Sequence, residues 1–275
     1  MKSPPPAIAL LCAAEIAGML GFGTFSALLP TFLDEWALSN TQAGWINGIF
    51  YAGYLLAVPV LVSLTDRVEV RPVYLASTLA AAVSSLGFAL WADGFWSALP
   101  LRALAGAALA GTYMPGLKAL ADRIEGPAQS RAVAFYTASF SIGASLSFFA
   151  AGVAAEAIGW RGAFAVAAGG PAVAAALIFW GLPPAPGPAR PPANLHLLDF
   201  RPVLRNRRLM AFVLAYAAHN WELFGMRSWL VAFLVFSAGL QAAGASWWSA
   251  PTIAALVNLL GVVGSIGGNE IAQRL

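Results

Sequence analysis

The sequence has few charged residues and almost no cysteine. Of its 275 residues, 15 are Lys or Arg and 12 are Asp or Glu, whereas 60% are hydrophobic. Soluble globular domains carry about 25% charged residues, so this composition excludes an ordinary soluble fold. The single cysteine, Cys12, excludes an internal disulfide and a cysteine-based metal site. We interpret it as a small buried side chain.

Sequence patterns that bind nucleotides or build hydrolytic active sites are also absent. The sequence has no phosphate-binding glycine loop, no catalytic-triad pattern and no cluster of carboxylates. His219 and Glu222 are only two ligands, and two ligands do not make a zinc site. The net charge of +3 reflects basic loops, which favour anionic lipid headgroups over nucleic acid. We therefore predict that the protein is not an enzyme and has no cofactor, metal ion or nucleic-acid partner.

The chain instead contains eight apolar runs, each long enough to cross a bilayer. About 20 helical residues are needed for a hydrocarbon layer that is about 30 Å thick. We number the runs as spans one to eight. In order they are Ala7–Pro30, Ala43–Leu64, Pro72–Ala92, Phe95–Leu120, Ala132–Ala157, Trp160–Gly181, Leu209–Phe236 and Ser246–Gly268. This pattern predicts an all-α, polytopic transmembrane helix bundle embedded in a lipid bilayer.

Basic residues collect in every second gap between the spans. That side carries Lys2, Arg67, Arg71, Lys118, Arg123, Arg131, Arg190, Arg201, Arg205, Arg207, Arg208 and Arg274. The other side has only Arg161 in a loop and Arg227 near a helix end, and most of the tryptophans lie there, as an interfacial aromatic belt does. The positive-inside rule then predicts a plasma (inner) membrane protein with both termini in the cytoplasm.

The longest polar break follows span six. It begins with the proline-rich stretch LPPAPGPARPPAN, which predicts an extended spacer, and it ends in RNRR. We predict a six-helix repeat at 1–182, a cytoplasmic linker at 183–208 and the start of a second repeat at 209–275. The loops LTDRVEVR and IAQRL follow spans two and eight and lie about 200 residues apart, which suits one repeat. We interpret the chain as ending within this second repeat.

The loop after span two carries a distinctive charge pattern. It reads VSLTDRVEVR and keeps Leu64, Asp66, Arg67 and Arg71 of the pattern G-x-L-x-D-R-x-G-R-R/K. That pattern resembles the loop between the second and third helices of the major facilitator superfamily. Val, Glu and Val replace its two glycines and an arginine. The resemblance implies that Asp66, Arg67 and Arg71 form a gating charge cluster against other cytoplasmic helix ends.

Span four adds a second resemblance to the same family. Arg102 and Gly106 in LRALAGAALAG fit its R-x-x-x-G pattern, and GWRGAF at 159–164 also fits. Span five lacks the Gly-Pro pair found in many family antiporters. The resemblance covers essentially the whole chain and implies a monomeric secondary transporter that works by alternating access. Family members usually have twelve helices, so about four would be missing here.

Two ionisable residues lie within predicted spans one and four. Glu15 is about 12 Å and Arg102 about 20 Å from the predicted cytoplasmic edge. Ionisable groups inside a membrane are costly and are functional candidates by default. The resemblance implies that helices one and four both line the transport cavity. We expect Glu15 to carry a coupling proton and Arg102 either to pair with it or to bind an anionic substrate; the alternative is a static ion pair.

Span seven carries a second polar group near its middle. His219 and Glu222 are three residues apart and share a helix face, so they form a candidate pair for holding or relaying a proton. The alternative is that both attach span seven to a neighbouring helix. Arg227 lies closer to the outer end, where we expect its long side chain to snorkel towards the interface.

Further candidates lie in spans two and four. Asn47 and Tyr51 are positioned to add hydrogen bonds or an aromatic wall to a substrate site. Pro115 and Gly116 are a candidate hinge near the inner end of span four.

The leading functional hypothesis is therefore a secondary active transporter of the family type. We expect it to move a small solute with protons as the coupling ion, and Arg102 favours a small organic anion. One alternative is a drug or metabolite exporter of the same fold. Another is a truncated membrane fragment that does not transport.

Overall fold

The computed structural model describes residues 5–124, 127–184, 201–240 and 248–272, and these residues form helices joined by short turns without any strand. All eight predicted runs are helical within these ranges, which confirms the all-α transmembrane fold. Lys2, Arg190, Arg274 and residues 185–200 of the predicted linker lie outside the described residues.

Spans two, three, seven and eight are single helices whose bounds lie close to those predicted. They are Asn40–Leu64, Val70–Trp91, Arg207–Gly239 and Ala250–Ala272, and a short helix, Arg201–Arg205, precedes span seven. Each of the four is apolar and long enough to cross a membrane. A reciprocal pair of hydrogen bonds between Ser39 and Gln42 caps the start of span two, because it satisfies backbone N–H groups that the helix leaves free.

Spans five and six form one helical run, Pro127–Gly181, that is interrupted at Gly159. Gly159 has φ 75° and ψ 170°, a conformation that a residue with a Cβ adopts only under strain. The chain reverses direction there, as shown by the opposite directions in which the two arms pack along span one. Span five runs parallel to span one, with contacts at Glu15–Tyr136 and Leu20–Ser147. Span six runs antiparallel to span one, with contacts at Leu10–Gly181 and Ala17–Gly170.

The spans run alternately up and down. The contacts that establish this include Gly87–Leu101 and Ser77–Gly111 between spans three and four, Gly53–Ala103 and Leu61–Gly111 between spans two and four, and Gly44–Trp229 and Tyr51–Phe224 between spans two and seven. One end of the bundle, the tryptophan end, carries Trp36, Trp91, Trp96 and Trp160. The opposite end, the basic end, carries Arg67, Lys118 and Arg131.

Span one is broken at its middle, although the sequence predicted one continuous helix. It consists of Pro5–Gly18, a 3₁₀ turn at Met19–Gly21, and the short helices Thr24–Ala27 and Leu29–Glu35. The Ser147 side chain inserts at the break: its hydroxyl donates to the Leu20 carbonyl at 2.6 Å and accepts from the Gly23 N–H at 2.9 Å. Insertion of a side chain into the helical hydrogen-bond ladder is a known cause of such breaks.

Span four is also broken, one turn before the predicted hinge at Pro115 and Gly116. Its helices are Phe95–Ala110 and Tyr113–Ala121, with Gly111 and Thr112 between them. A proline ring clashes with the carbonyl four residues earlier, and for Pro115 that residue is Gly111. The break therefore lies where the clash would fall, while Pro115 occupies the first turn of the following helix.

Three apolar clusters lie along the bundle axis. The cluster at the tryptophan end contains Phe25, Phe32, Phe88 and Phe164 and includes Val231 and Ala254 from spans seven and eight, so this end is tightly packed. A second cluster at the basic end joins spans one, three, four, five and six. The third and smallest is built on Met19, Phe22, Phe50 and Ala144 and lies between the other two.

Span eight attaches to span five along its whole length. Pro251 lies against Gly152, the Ser145 hydroxyl donates to the Ala255 carbonyl at 2.7 Å, and the Arg131 guanidinium binds both carboxylate oxygens of Glu270 at 3.0 and 3.1 Å. Span seven, in contrast, is buried along only one narrow stripe, which contains Arg227, Ser228 and Val231.

Candidate functional site

The middle cluster is a group of aromatic rings contributed by four spans. Phe22, at the break in span one, contacts Phe50, Phe140 and Phe224 edge-to-face, with ring centroids 5.7, 5.3 and 6.4 Å away. Tyr51 packs on Phe224 at 5.0 Å. We call this group the central chamber.

Arg102 forms one wall of the central chamber. It is 3% exposed, and its guanidinium lies over the rings of Phe50 at 4.5 Å and Phe25 at 5.3 Å. Its Nε is buried without a hydrogen-bond partner, and no ion pair of the described residues includes it. Cation–π contacts offset only part of the cost of burying a charge. Arg102 is therefore a buried cation without a countercharge among these residues.

Arg227 also lies against the central chamber, which corrects its predicted place at the membrane interface. It is 5% exposed and lies over Phe140 at 5.6 Å and Phe224 at 5.7 Å. Its Nε donates to the Asn258 side-chain oxygen at 2.6 Å. Asn258 in turn donates to the Ala254 carbonyl at 2.9 Å, so its orientation is defined. No carboxylate of the described residues pairs with Arg227.

Tyr51 is near both arginines. It is within electrostatic range of both guanidinium groups, and its hydroxyl neighbours that of Ser228. Asn47, one helical turn earlier, is 4% exposed and accepts a hydrogen bond from Ser26 at 3.1 Å, while its amide nitrogen is buried without a partner. Tyr51 thus belongs to the chamber, and Asn47 connects span two to the broken part of span one.

Glu15 occupies a separate polar site nearer the basic end. It is 1% exposed, its Oε2 accepts a hydrogen bond from the Tyr136 hydroxyl at 3.0 Å, and its Oε1 is buried without a partner. The Tyr136 hydroxyl also lies 3.2 Å from the Tyr113 carbonyl oxygen, beside the break in span four. The predicted Glu15–Arg102 ion pair is not formed, because each side chain has aromatic neighbours instead.

The predicted proton pair of span seven does not face the chamber, and its role in holding or relaying a proton stays a prediction. His219 and Glu222 are exposed, whereas Phe224, Arg227 and Ser228 turn inward. A helix rotates about 100° per residue, so Glu222 lies about 160° around the axis from Phe224. The buried face of span seven is therefore almost opposite the one that carries the pair.

The predicted gating loop contacts the basic ends of two helices. Asp66 pairs with Lys118 of span four at 3.4 Å, and Lys118 also lies 3.6 Å from Asp122. Arg71 donates to the Phe179 carbonyl of span six and lies over its ring at 5.2 Å. Arg67 is exposed. The loop thus links the ends of spans two, four and six.

Three residues of these sites were not identified from the sequence: Tyr136, Asn258 and the inward-facing Arg227. Asn258 is an isolated amide in the apolar run ALVNLLG, which was a usable signal. The spacing of Phe224, Arg227, Ser228 and Val231 at i, i+3, i+4 and i+7 also marks one helix face. Tyr136 gave no comparable signal, because a tyrosine inside an apolar run is as well suited to packing.

The fold is that of a polytopic helical membrane protein, and two of its cations, Arg102 and Arg227, are buried inside the bundle. The chain belongs to the Major Facilitator Superfamily, whose sequence profile matches residues 11–275. This is a family of transporters, and the match confirms the resemblance seen in the loop after span two and in span four.

Individual relatives are similar over parts of their length. The hexuronate transporter of Escherichia coli K12 is 30% identical over 141 residues, which are 51% of this chain and 32% of that protein. Human protein spinster homolog 1 is 25% identical over 242 residues, 84% of this chain and 46% of that protein. The chain thus spans about a third to a half of the length of these relatives.

Solved structures share the fold. One is a bacterial homologue of the human lysosomal transporter spinster, solved in an inward-facing, unoccupied conformation. It superposes with a TM-score of 0.75 at 16% sequence identity, and the superposition covers 99% of this chain and 64% of the homologue. The human organic anion transporter MFSD10 superposes with a TM-score of 0.73 at 19% sequence identity, and the superposition covers 97% of this chain and 72% of MFSD10. At these identities the similarity concerns the fold alone.

Proposed function

We propose that the protein is a secondary active transporter that moves a small organic anion by alternating access in symport with protons. The observation that supports this most is the pair of buried guanidinium groups, Arg102 and Arg227, which both lie over rings of the central chamber. Each carries a charge that no carboxylate of the described residues balances, and burying such a charge costs several kcal/mol. A bound anion would supply the missing countercharge.

The position of the chamber suits this role. Arg102 and Phe50 belong to spans four and two, whereas Arg227 and Phe224 belong to span seven. In secondary transporters the substrate binds near the bilayer midplane between two repeats. We propose the division into a six-helix unit at 1–182, a linker at 183–208 and the start of a second unit at 209–275. An anion held by both arginines would then bridge the two units.

Proton coupling is proposed to act through Glu15. Tyr136 has one hydroxyl proton and two acceptors nearby, the Glu15 carboxylate and the Tyr113 carbonyl. When Glu15 is ionised, its carboxylate accepts the hydrogen bond from the Tyr136 hydroxyl. When Glu15 is protonated, its own O–H can donate to the tyrosine oxygen, and the Tyr136 hydroxyl can then donate to the Tyr113 carbonyl instead. Since Tyr113 begins the second helix of span four, protonation would change a hydrogen bond at the break in the helix that carries Arg102.

The environment of Glu15 contains titratable groups but no cation among the described residues. The groups are Cys12 of its own span, Tyr54 of span two, Tyr74 of span three, Tyr113 of span four and Tyr136 of span five. A carboxyl in such surroundings cannot rely on an ion pair. It therefore exchanges its proton when the bundle opens it to water.

We further propose that the protein is a monomer in the inner membrane, with both termini in the cytoplasm. The basic residues of the loops collect at one end of the bundle, and both ends of the described chain, residues 5 and 272, lie at that end. Cytoplasmic loops are the ones that carry an excess of Lys and Arg.

Anion binding can be tested by thermal unfolding of the purified chain in detergent. The ligands are sodium salts of acetate, phenylacetate, cyclohexylacetate and glucuronate, each compared with its neutral amide. A ligand that binds the folded state raises the midpoint, by an amount equivalent to about 2.7 kcal/mol at one hundred times Kd. We expect at least one carboxylate, but not its amide, to raise the midpoint.

Matched variants assign the effect to the chamber. Arg102→Gln and Arg227→Gln should each abolish the shift, and Arg102→Lys and Arg227→Lys should retain part of it. Arg208→Gln removes an exposed charge from the start of span seven and should leave the shift unchanged. Equal shifts with acid and amide, or an undiminished shift in both glutamine variants, would contradict the proposal.

A further inference from the structure

The central chamber offers aromatic surface in several directions. Phe22 is 8% exposed and lies at its centre, where three other rings meet its edge or face. These three rings are also the ones that the guanidinium groups cover: Phe50 lies under Arg102, and Phe140 and Phe224 lie under Arg227. Charge and aromatic surface are therefore interleaved around the Phe22 ring.

Neutral hydrogen-bonding groups near the chamber are largely occupied by the protein itself. The Ser228 hydroxyl donates to the Phe224 carbonyl at 2.8 Å. Asn258 uses its oxygen for Arg227 and its nitrogen for the Ala254 carbonyl. The hydroxyls of Thr78 and Thr112, on the far side of Phe22, donate to carbonyls of their own helices. What remains for a ligand is chiefly guanidinium N–H groups, the Tyr51 hydroxyl and the Asn47 amide nitrogen, which is buried without a partner.

A small void lies beside these rings. Its volume is about 30 Å³, and Met19, Phe22, Phe50 and Leu109 form part of its lining. It is too small for an organic anion, so a ligand of that size would have to displace neighbouring side chains such as Phe22. A ligand ring that displaced Phe22 would regain the edge-to-face contacts that Phe22 now makes with its neighbours.

This arrangement discriminates between two kinds of organic anion. A sugar acid carries several hydroxyl groups, and each one left without a partner in a dehydrated site weakens binding. A carboxylate with an apolar ring places its charge on the guanidinium groups and its body among the phenyl rings. We propose, on the basis of the proposed function, that the substrate is an amphipathic carboxylate with a single aromatic or alicyclic ring.

The ranking of ligands tests this inference separately from the proposed function. By isothermal titration calorimetry of the purified chain, we expect phenylacetate and cyclohexylacetate to bind at least about tenfold more tightly than glucuronate, because glucuronate leaves hydroxyls unpaired. Acetate, which has the charge but no ring, should also bind more weakly than phenylacetate.

Variants of one helix supply the matched control. Phe224→Leu should weaken phenylacetate binding severalfold and leave acetate binding nearly unchanged, since it removes ring contacts and keeps both arginines. Phe212→Leu changes an exposed phenylalanine on the same helix and should affect neither ligand. Phe22→Leu replaces the central ring of the chamber with a smaller side chain. Because more space is then available, this variant should favour two-ring acids such as naphthylacetate over phenylacetate.

The outcomes separate the two proposals. Tighter binding of glucuronate than of phenylacetate would overturn the amphipathic substrate and leave the anion transporter standing. Binding of phenylacetamide as tight as that of phenylacetate would overturn the anion site itself. Absence of binding by every compound, in a chain that circular dichroism shows to be helical, would overturn both.

Discussion

Arg102 and Arg227 combine full burial with an incomplete set of partners. A guanidinium in the interior normally has a carboxylate or several carbonyl oxygens around it, because the lost hydration must be replaced. Here aromatic faces and one amide oxygen take that place. Such residues reduce the stability of the empty protein, which is the expected signature of a binding group rather than of a structural one.

This signature gives an expectation for Arg102→Met. Methionine keeps an unbranched side chain of similar length against Phe25 and Phe50, but it removes the unpaired charge. We expect the variant to raise the free energy of unfolding of the ligand-free chain by ~1–4 kcal/mol, and to abolish the carboxylate-induced shift. Thermal unfolding with and without phenylacetate measures both. A destabilised variant would instead indicate that Arg102 has a structural role.

Glu15 gives a second expectation, for transport. In proteoliposomes, uptake of a bound carboxylate should rise when the outside is made more acidic, because the symported proton enters with the anion. Glu15→Gln mimics the permanently protonated form, so uptake should lose its dependence on the pH gradient while anion exchange persists. Glu222→Gln, an exposed carboxylate on span seven, is the control and should keep the wild-type dependence.

Either of two results would count against Glu15 as the coupling group. One is an unchanged pH dependence in Glu15→Gln. The other is loss of the dependence in Glu222→Gln alone, which would restore the pair that the sequence pattern of span seven favours.

At the scale of elements, the helices themselves were predictable and their interruptions were not. Long apolar runs determine where helices lie, because a backbone in hydrocarbon must satisfy its hydrogen bonds internally. The break in span one depends on Ser147, which is more than 120 residues away and reaches the Leu20 carbonyl only after span five has packed. The break in span four lies one turn before the predicted hinge, because the ring of Pro115 acts on the residue four positions earlier.

The crossing of spans two and four depends on small residues. A Cβ at Gly106 would collide with the Phe50 carbonyl, so the two backbones touch there, as small residues allow in membrane helices. We expect Gly106→Ala to destabilise the chain by ~1–3 kcal/mol in thermal unfolding, because the spans must move apart. Gly48 is also helical, but a Cβ added there would meet no other atom within 4 Å, so Gly48→Ala should be neutral or slightly stabilising. Equal effects at the two sites would refute close packing as the reason for Gly106.

At the scale of the whole molecule, the proposed direction of each span rests on the distribution of basic residues. The proposed orientation places Arg67 in the cytoplasm and Asp34 outside. In a background that lacks the single cysteine (Cys12→Ala), an impermeant maleimide applied to spheroplasts should label Asp34→Cys and leave Arg67→Cys unlabelled. Inverted membrane vesicles should give the opposite pattern. The reverse of both patterns would mean that the positive-inside rule misleads here.

The sequence by itself determined that the protein is a membrane protein, that its spans alternate in direction, and that it belongs to the Major Facilitator Superfamily. The first two depend on sums over local residues, such as hydropathy across about 20 positions or the count of basic residues in a loop. The third depends on short local motifs, such as the loop after span two. Only the tertiary structure decided that Arg227 faces inward, that His219 and Glu222 do not, and that Glu15 meets Tyr136 instead of Arg102. Those outcomes depend on the rotation of each helix about its axis, which is set by packing against helices distant in the chain.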